Sequence, residues 1–305
     1  MEIRGKVALV TGANGFVGSF VARRLREAGL RVRALVRRPE ADAEVRALGA
    51  EPVRGDVTDP EAVLEAVSGT HVVVHCAATG TTDLAEAGRI NVIGTEVLLE
   101  AAKAVGCERF VHLSSLAVYD LVGREAVDED TPRVREGRPY AMTKAEADQR
   151  VLEAMARGLP AVILRPPAIL GMHPTSTWGH TIPRAIAAGQ FPLVGDGSGP
   201  FFYLHVRNLA EAVLLCLETE AAVGQVFNLV DGQSTWRDYA GHFHAGPLPS
   251  MPESQAPAHL RFRGRFLGDK ARRVLGYAPR HSSYEEVLRE TQRALAGQGA
   301  PGAPT

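Results

Sequence analysis

Short apolar segments alternate with longer amphipathic ones through the first half of this 305-residue chain. The run Val7–Val10 is followed by glycines and then by a segment in which Val17, Val21 and Leu25 recur on one helical face. Strands separated by helices of this length pair in parallel, and the helices cover both faces of the sheet. The alternation therefore predicts an α/β fold with a doubly wound parallel sheet. Strands are also predicted at residues 31–36, 52–54, 71–76, 110–113, 161–164 and 226–230, and helices at 15–28, from residue 60, and at 84–104, 140–157 and 208–217.

Prolines and glycines interrupt this alternation in the second half of the chain. Loops carried by a rigid sheet are where substrate sites usually lie, so this part is expected to form a smaller, loop-rich substrate-binding region. This change in composition predicts two domains. The sheet domain takes residues 1–167 and a return segment at 205–233, and the substrate region takes residues 168–204 and 234–296. Residues 297–305, rich in Gly, Ala and Pro, are predicted to be a disordered tail.

The charge balance of the chain limits its partners. Lys and Arg total 34 and Asp and Glu total 35, which gives a formal net charge of -1. Nucleic acids and anionic membrane surfaces require a basic face, so neither is expected as the main partner. A small-molecule substrate is expected instead.

The cysteines and histidines show no ligand pattern. Cys76, Cys107 and Cys216 are widely spaced, without CxxC or Cys/His spacing, and predict neither a disulfide framework nor a zinc site. His242 and His244 lie two residues apart without a further ligand cluster, so no metal is predicted there. The N-terminus enters the first strand without an apolar leader, and no stretch approaches a membrane span. A reduced, cytoplasmic location is therefore expected.

A glycine-rich loop joins the first predicted strand to the first predicted helix. It reads T-G-A-N-G-F-V-G, with Gly12, Gly15 and Gly18 at GxxGxxG spacing. A dinucleotide pyrophosphate needs a tight turn, a close approach of the backbone and a helix N-terminus aimed at its charge. Glycine-rich turns are common, but this one lies inside a βαβ unit, the context that such binding requires. The loop is therefore predicted to bind a nicotinamide dinucleotide.

The end of the second predicted strand bears on which nicotinamide cofactor is bound. It reads Val36-Arg37-Arg38-Pro39 and carries no acidic residue. An Asp or Glu here would hold the ribose 2′-hydroxyl of NAD, whereas an Arg accommodates the 2′-phosphate of NADP. Arg37 is the expected contact, because a guanidinium can hold a phosphate through two hydrogen bonds. NADP is therefore favoured over NAD, with the alternative that Arg37 and Arg38 are solvated surface charges.

A tyrosine and a lysine share one face of a later predicted helix, since Tyr140 and Lys144 stand four residues apart. The usual pKa of tyrosine, about 10, makes it a poor acid or base at neutral pH. A neighbouring ammonium favours the phenolate and lowers that pKa. Ser114 and Ser115 come one predicted element earlier. This order of hydroxyl, phenol and amine predicts acid–base chemistry with Tyr140 as the proton carrier.

Taken in order, Gly12-x-x-Gly15-x-x-Gly18, Ser115 and Tyr140-x-x-x-Lys144 resemble the motifs of the extended short-chain dehydrogenase/reductases of the NAD-dependent epimerase/dehydratase superfamily, over residues 6–290. The resemblance implies a Rossmann-type sheet and a catalytic set of Ser115, Tyr140 and Lys144. It also implies that Ser115 bonds the substrate oxygen, that Lys144 bonds the nicotinamide ribose, and that Ser114 is a backbone-bonding neighbour. Cofactor contacts are implied at Gly12, Asn14, Gly15, Phe16, Val17, Gly18, Arg37, Asp56, Val57, Ala77, Ala78, Tyr140, Lys144 and Pro167.

Within this superfamily the chain is most similar to the 3β-hydroxysteroid dehydrogenase and dihydroflavonol reductase-like branch. Residues 36–39 are similar to the reductase strand tip, and 165–171 and 205–210 are similar to the steroid branch. Arg207 departs from that branch, which usually carries an acid at this place. Asn91 lies on a helix where many short-chain enzymes tie an asparagine to a proton relay, and a helix-stabilising role is the equal alternative.

These features predict an NAD(P)-dependent oxidoreductase that transfers hydride between nicotinamide and a carbonyl or secondary alcohol. A nucleotide-sugar epimerase or dehydratase with tightly bound NAD is one alternative, and a non-catalytic NADP-binding sensor is another. Sugar-nucleotide enzymes of the superfamily hold the substrate diphosphate with an arginine after a Gly-Asp-Gly-like loop, and here Phe201 stands in that place. A phenyl ring suits a small apolar substrate. Proteins of this kind commonly dimerise through two helices, which makes 84–104 and 140–157 the candidate surface of a homodimer.

Overall fold

Strand and helix alternate in the first part of the computed structural model, which describes residues 1–281 and 283–297. The strands and helices predicted for this part agree with the structure to within one residue at each end, apart from the helix at 84–104. The pattern does not predict α2 or β6. The elements are β1 (Val7–Thr11), α1 (Phe16–Glu27), β2 (Arg31–Val36), α2 (Ala41–Ala47), β3 (Glu51–Arg54), α3 (Pro60–Val67), β4 (Val72–His75), α4 (Leu84–Ala87), α5 (Gly94–Ala104), β5 (Arg109–Leu113), β6 (Ala126–Val127), α6 (Pro139–Ala156) and β7 (Ala161–Arg165).

Shorter elements fill the later part of the chain. Gly297, which the sequence places in a disordered tail, is the last residue of a helix, and the rest of that predicted tail lies outside the described residues. The elements are β8 (Ala168–Leu170), α7 (Ile182–Ala187), β9 (Leu193–Val194), β10 (Pro200–His205), α8 (Val206–Glu218), β11 (Val226–Asn228), β12 (Gly232–Thr235), α9 (Trp236–Gly241), β13 (Ser250–Met251), β14 (Arg265–Phe266), α10 (Asp269–Leu275) and α11 (Tyr284–Gly297).

Seven parallel strands form the central sheet in the order β3-β2-β1-β4-β5-β7-β11. The chain begins in the middle of the sheet and winds outward in both directions, so the strand order reverses between β1 and β4. Such a reversal leaves a crevice at the carboxyl ends of the strands, where open parallel sheets bind their ligands. The predicted doubly wound, Rossmann-type sheet is confirmed.

Helices cover both faces of this sheet, and β1 is therefore buried along its whole length. Successive side chains of a strand point to opposite faces. Val10 belongs to a core that includes Val21 of α1, whereas Leu9 belongs to a second core that includes Leu98 of α5 and Val151 of α6. Burial on both sides explains why the strands read as continuous apolar runs.

A separate three-stranded sheet of β10 flanked by β8 and β12 carries the predicted substrate region. An aromatic core packs with it. Phe201 stacks on Tyr239 with 4.2 Å between ring centroids, and Trp178 and Trp236 meet Phe201 edge-on. The substrate region therefore has a small core of its own, while the division into two domains stays a prediction.

Two classes of feature are absent from residues 1–281 and 283–297. None of the helices in these ranges is both long and apolar enough to cross a membrane. The same residues contain no cluster of three or more His, Cys, Asp or Glu side chains placed to hold a metal ion.

The helix predicted at 84–104 is interrupted between α4 and α5 by a π-helical turn, Gly88–Ile93. Asn91 in this turn is buried, and its amide bonds chain segments outside the helix. Its Oδ1 accepts the Thr79 N–H at 2.8 Å, and its Nδ2 donates to Thr79 O and to Thr143 Oγ1 at 3.0 Å each. Both amide hydrogens are thus used to join segments of the fold. This favours the structural role of Asn91 over the proton relay.

We expect Asn91→Ala to lower the free energy of unfolding by about 2–3 kcal/mol, because it leaves buried polar groups at Thr79 and Thr143 without their partner. Urea denaturation measures the change. Lys103→Ala, at an exposed position of α5, is the matched control and should stay within about 0.5 kcal/mol of the unsubstituted protein. If Asn91→Ala were as stable as this control, the structural role would be wrong.

Candidate active site

One large cleft, of about 2120 Å³, runs along the carboxyl edge of the central sheet and reaches the aromatic core of the substrate region. Every residue that the sequence predicts for catalysis or cofactor binding lines it. These residues follow six of the seven sheet strands or begin α6, so the parallel sheet brings distant parts of the chain together. They are Ser115, Tyr140 and Lys144 with Gly12, Asn14, Gly15, Phe16, Val17, Gly18, Arg37, Asp56, Val57, Ala77, Ala78 and Pro167.

The glycine loop is too closely packed to accept side chains. A Cβ on Gly18 would lie 2.1 Å from the Gly12 carbonyl oxygen. A Cβ on Gly12, whose φ is +68°, would lie 2.9 Å from the Ala77 nitrogen. Gly15 is the N-cap of α1, so the start of this helix meets the cleft through bare backbone. A cradle of this kind fits a dinucleotide pyrophosphate, because helix N-terminal N–H groups attract anions.

A loop at residues 171–176 covers the start of α1, a contact that the sequence does not predict. The Phe16 N–H donates to Thr175 Oγ1 at 3.0 Å, and the rings of Phe16 and His173 lie 6.0 Å apart. The loop can pack this closely because residue 171 is a glycine. A Cβ on Gly171 would lie 2.7 Å from a methyl carbon of Val206. Thr175 therefore forms part of the cleft wall beside the glycine loop.

The tips of β2 and β3 bring opposite charges together, with 3.8 Å between Arg37 Nη1 and Asp56 Oδ2. Arg37 and Arg38 are exposed, and both line the cleft. Burial acts to raise the pKa of Asp56, but hydrogen bonds from Thr58 and the charge of Arg37 outweigh it and lower that pKa overall. Two basic groups and one carboxylate thus meet where the cofactor ribose is expected.

The predicted catalytic residues lie where β5 ends and α6 begins. Ser115 Oγ accepts the Ala117 N–H at 3.1 Å, which fixes the side chain at the start of a short 3-10 turn and leaves its hydroxyl hydrogen able to donate. The Ser114 N–H donates to Leu164 O at 2.8 Å, whereas its buried hydroxyl has no hydrogen-bond partner among the described residues, so its predicted role stays a prediction. Lys144 Nζ donates to Leu113 O at 2.6 Å.

Burial governs the charge state of the tyrosine–lysine pair. The sequence predicts a Tyr140 pKa lowered by the ammonium, and this is wrong. Burial raises the pKa of the Tyr140 phenol and outweighs a Ser115 hydrogen bond and the charge of Arg138. It lowers the pKa of the Lys144 ammonium to about 8 against the opposing charge of Asp148. At neutral pH the pair is therefore a neutral phenol beside an ammonium. This state is suited to protonating an oxygen atom.

The part of the cleft that the substrate region lines has an aromatic wall. Phe201, which stands where sugar-nucleotide enzymes carry an arginine, is 1% exposed and belongs to the aromatic core. It presents an apolar surface and no cation to the cleft. The other aromatic residues of this wall are Trp178, Phe191, Phe202, Trp236, Phe262 and Phe266.

Sequence reasoning missed several residues that line the cleft. Arg138 and His259 lie on its rim, and burial together with the charge of Arg138 lowers the pKa of His259 to about 4. The only sequence signal for Arg138 is its position two residues before Tyr140. Trp178 and Trp236 carry no such signal, because they reach the cleft through the packing of distant segments.

Comparison with known proteins places the chain in a family. The model of the NAD dependent epimerase/dehydratase family matches residues 8–229. A 4-hydroxy-2-methyl-3-oxo-4-farnesyl-3,4-dihydroquinoline-1-oxide ketoreductase of Stigmatella aurantiaca is 34% identical, over 95% of this chain and 97% of its own. A 2-alkyl-3-oxoalkanoate reductase of Stenotrophomonas maltophilia is 35% identical, over 94% of this chain and 99% of its own.

The fold agrees with solved structures. A UDP-glucose 4-epimerase from Thermotoga maritima has a TM-score of 0.80 at 22% identity, over 96% of this chain and 99% of its own. The chain belongs to the NAD dependent epimerase/dehydratase family, whose members bind a nicotinamide cofactor. Its predicted resemblance to the extended short-chain dehydrogenase/reductases is confirmed, and its relatives are enzymes, reductases among them.

We expect Gly18→Ala to weaken NADPH binding by about tenfold or more, since overpacking costs about 1–3 kcal/mol and here acts on the backbone of the cradle itself. Nicotinamide fluorescence in an NADPH titration measures the effect. Gly241→Ala is the matched control, because a Cβ at residue 241 meets nothing within 4 Å. Equal NADPH affinity in the two variants would show that the loop does not form the cofactor site.

Proposed function

We propose that this protein is an NADP-dependent ketoreductase that interconverts the carbonyl group of a small apolar compound and the corresponding secondary alcohol. The observation that carries the proposal is the meeting of Ser115, Tyr140 and Lys144 with an aromatic wall in one cleft. When bound, the nicotinamide supplies the hydride for the carbonyl carbon. The protein supplies position, a proton and exclusion of water.

The proton chemistry follows from the charge states of the side chains. In the reducing direction the Tyr140 phenol donates its proton to the substrate oxygen, and Ser115 donates a hydrogen bond to the same oxygen. The Lys144 ammonium follows Tyr140 by one turn on the same face of α6, and its positive charge favours the phenolate that remains. In the oxidising direction the Tyr140 phenolate takes the proton of the alcohol.

The aromatic wall supports an apolar substrate. Phe202, Phe262 and Trp236 offer flat apolar surface, and a phosphate group gains little from such partners. The two reductases that are similar over nearly their whole length have names that describe a farnesyl and an alkyl group next to an oxo group. These names support an apolar ketone as the substrate class and leave the individual compound open.

The nucleotide-sugar alternative rests on the family name, which includes epimerases and dehydratases, and on relatives named dTDP-glucose 4,6-dehydratase that are 33% and 31% identical. Phe201 argues against it, since this buried ring lies where the diphosphate-binding arginine is expected. Thermal unfolding separates the two functions. Protection by UDP-glucose without protection by an apolar ketone would favour the epimerase reading.

NADP preference is tested by titrating the protein with NADPH and NADH and following nicotinamide fluorescence. We expect NADPH to bind more tightly, and Arg37→Ala to weaken NADPH binding by about tenfold or more while NADH binding changes little, because a guanidinium–phosphate hydrogen bond is charge-assisted. Arg38→Ala is the matched control with a smaller effect. NADH binding as tight as NADPH would make Arg37 a surface charge and strengthen the epimerase alternative.

Tyr140→Phe tests whether the protein is an enzyme with a catalytic phenol. We expect ketone reduction to fall by about 10²–10⁴-fold, since the variant keeps the ring and removes the proton donor. NADPH fluorescence titration should show retained cofactor binding. The assay follows NADPH oxidation with a series of apolar ketones. Turnover in the original protein that survives in Tyr140→Phe would contradict the assigned role, and no turnover with any ketone would favour the non-catalytic sensor.

A further inference from the structure

A row of buried ionisable side chains lies beneath Lys144 and has no part in the chemistry proposed above. His112 on β5, Asp148 on α6 and Arg165 on β7 are each 0% exposed. Taking a charge out of water costs several kcal/mol even in a paired setting, and an apolar pair of similar size is often as stable. Stability alone therefore gives no reason for Asp148 and Arg165 to be charged.

Lys144 and Asp148 both approach the same nitrogen of His112. Lys144 Nζ lies 3.4 Å from His112 Nε2, and His112 Nε2 lies 3.8 Å from Asp148 Oδ1. Asp148 also follows Lys144 by one helical turn, so both side chains leave the same face of α6. His112 Nε2 is thus a common neighbour of the ammonium and the carboxylate.

Arg165 fixes the carboxylate from its other side. Its Nε donates to Asp148 Oδ2 at 2.8 Å, and its Nη1 donates to Tyr119 Oη at 2.7 Å and to Glu129 O at 3.1 Å. The Tyr119 hydroxyl in turn donates to Asn228 Oδ1 at 2.6 Å. Asp148 is therefore anchored to β7 and to the segments around it, independently of Lys144.

The other ionisable groups around Lys144, like the Tyr140 phenol, are uncharged at neutral pH. Burial and the charge of Lys144 lower the pKa of His75 to about 3, and burial with the same charge lowers that of His112 well below its usual value. Burial raises the pKa of Cys76 to about 12. None of these groups offsets the ammonium.

Asp148 and Arg165 are thus the charged groups of the row, with Arg133 and the backbone of Glu129 on the outer side of Arg165. We propose that Asp148 and Arg165 are positioning residues that set the charge of the Lys144 ammonium through His112. Asp148 holds the ammonium in its charged form, and Arg165 limits that effect by neutralising part of the carboxylate. The inference rests on the proposed role of Lys144 beside Tyr140.

The two members of the pair make opposite predictions. Asp148→Asn removes a negative charge, which lowers the pKa of Lys144 and of Tyr140 alike. Arg165→Gln removes a positive charge, which raises both. Each variant therefore shifts the pKa of Lys144 and the pKa of Tyr140 in the same direction. The sign of the observed shift does not depend on which of these two coupled groups titrates in a given step. A merely structural pair would lose stability in both variants without opposite shifts.

The chain has four lysines, Lys6, Lys103, Lys144 and Lys270, so the ammonium can be observed directly. NMR of protein labelled with ¹³C at the lysine ε carbon gives four signals, and Lys144→Met assigns the one of interest. We expect a titration midpoint near pH 8 in the unsubstituted protein. Asp148→Asn should lower this midpoint by about one pH unit or more, and Arg165→Gln should raise it by a similar amount.

Arg109→Gln is the matched control, because Arg109 is a buried arginine of the same strand as His112 and pairs with Glu220 at 3.1 Å. It should lose stability and leave the midpoint unchanged, and Asp148→Glu should keep the midpoint near that of the unsubstituted protein. Should a single variant not fold, the double variant Asp148→Asn/Arg165→Gln leaves no unpaired charge. Its midpoint should still fall, since the carboxylate is the nearer of the two groups.

An unchanged midpoint in Asp148→Asn, or shifts of the same sign in both single variants, would overturn the proposal. The titration is run on the full chain, both free and with NADP⁺, and requires no substrate. If the protein reduced no ketone, the proposed function would be contradicted, but the lysine titration could still be interpreted. Where a ketone is reduced, the pH at which its reduction rate falls by half should move in the same directions as the lysine signal.

Discussion

The contact between two backbones in the glycine loop sets the geometry on which the rest of the structure depends. Because the chain at Gly18 passes against the Gly12 carbonyl, and Gly12 passes against Ala77 after β4, helix α1 leaves β1 directly at the point where the strand order reverses. A bulkier loop would push the helix away from that crevice. The helix N-terminus and the strand ends therefore share one edge, and the cleft follows from that edge.

The parallel arrangement of the strands explains how much of the site the sequence could predict. Parallel strands all end at one edge, so residues just after several strands must meet there, whatever their separation in the chain. Arg37, Asp56, Ala77, Ser115 and Pro167 each follow a different strand, and all of them line the cleft. Strands β1 and β4 were predictable because burial on both faces leaves continuous apolar runs, which local sequence records directly.

What the sequence could not predict depends on contacts between distant segments. In the π turn, the side-chain amide of Asn91 forms hydrogen bonds with Thr79 and Thr143. The hydrophobic periodicity of the helix does not indicate these hydrogen bonds. The approach of Thr175 to α1 and the place of Trp178 in the cleft wall depend in the same way on how a loop-rich segment folds back. A sequence pattern indicates the periodicity and burial of a single helix or strand. The contacts of Asn91, Thr175 and Trp178 form between two segments that are distant in the chain, and such a pattern does not predict them.

Helix α6 carries the groups to which the proton chemistry of the cleft is assigned. It carries Tyr140, Lys144 and Asp148 at successive turns, so a phenol, an ammonium and a carboxylate stand in one line on one rigid element. The aromatic wall comes from other segments and has two parts. Phe201 and Trp236 lie in a core that shares no residue with the core beneath α6, whereas Phe202, Phe262 and Phe266 pack in a core that includes Ala145 of α6. Substitutions at Phe201 and Trp236 can therefore alter which ketone fits without disturbing the charges that move the proton. Substitutions at Phe202, Phe262 or Phe266 act on a core that contacts α6 and would affect both.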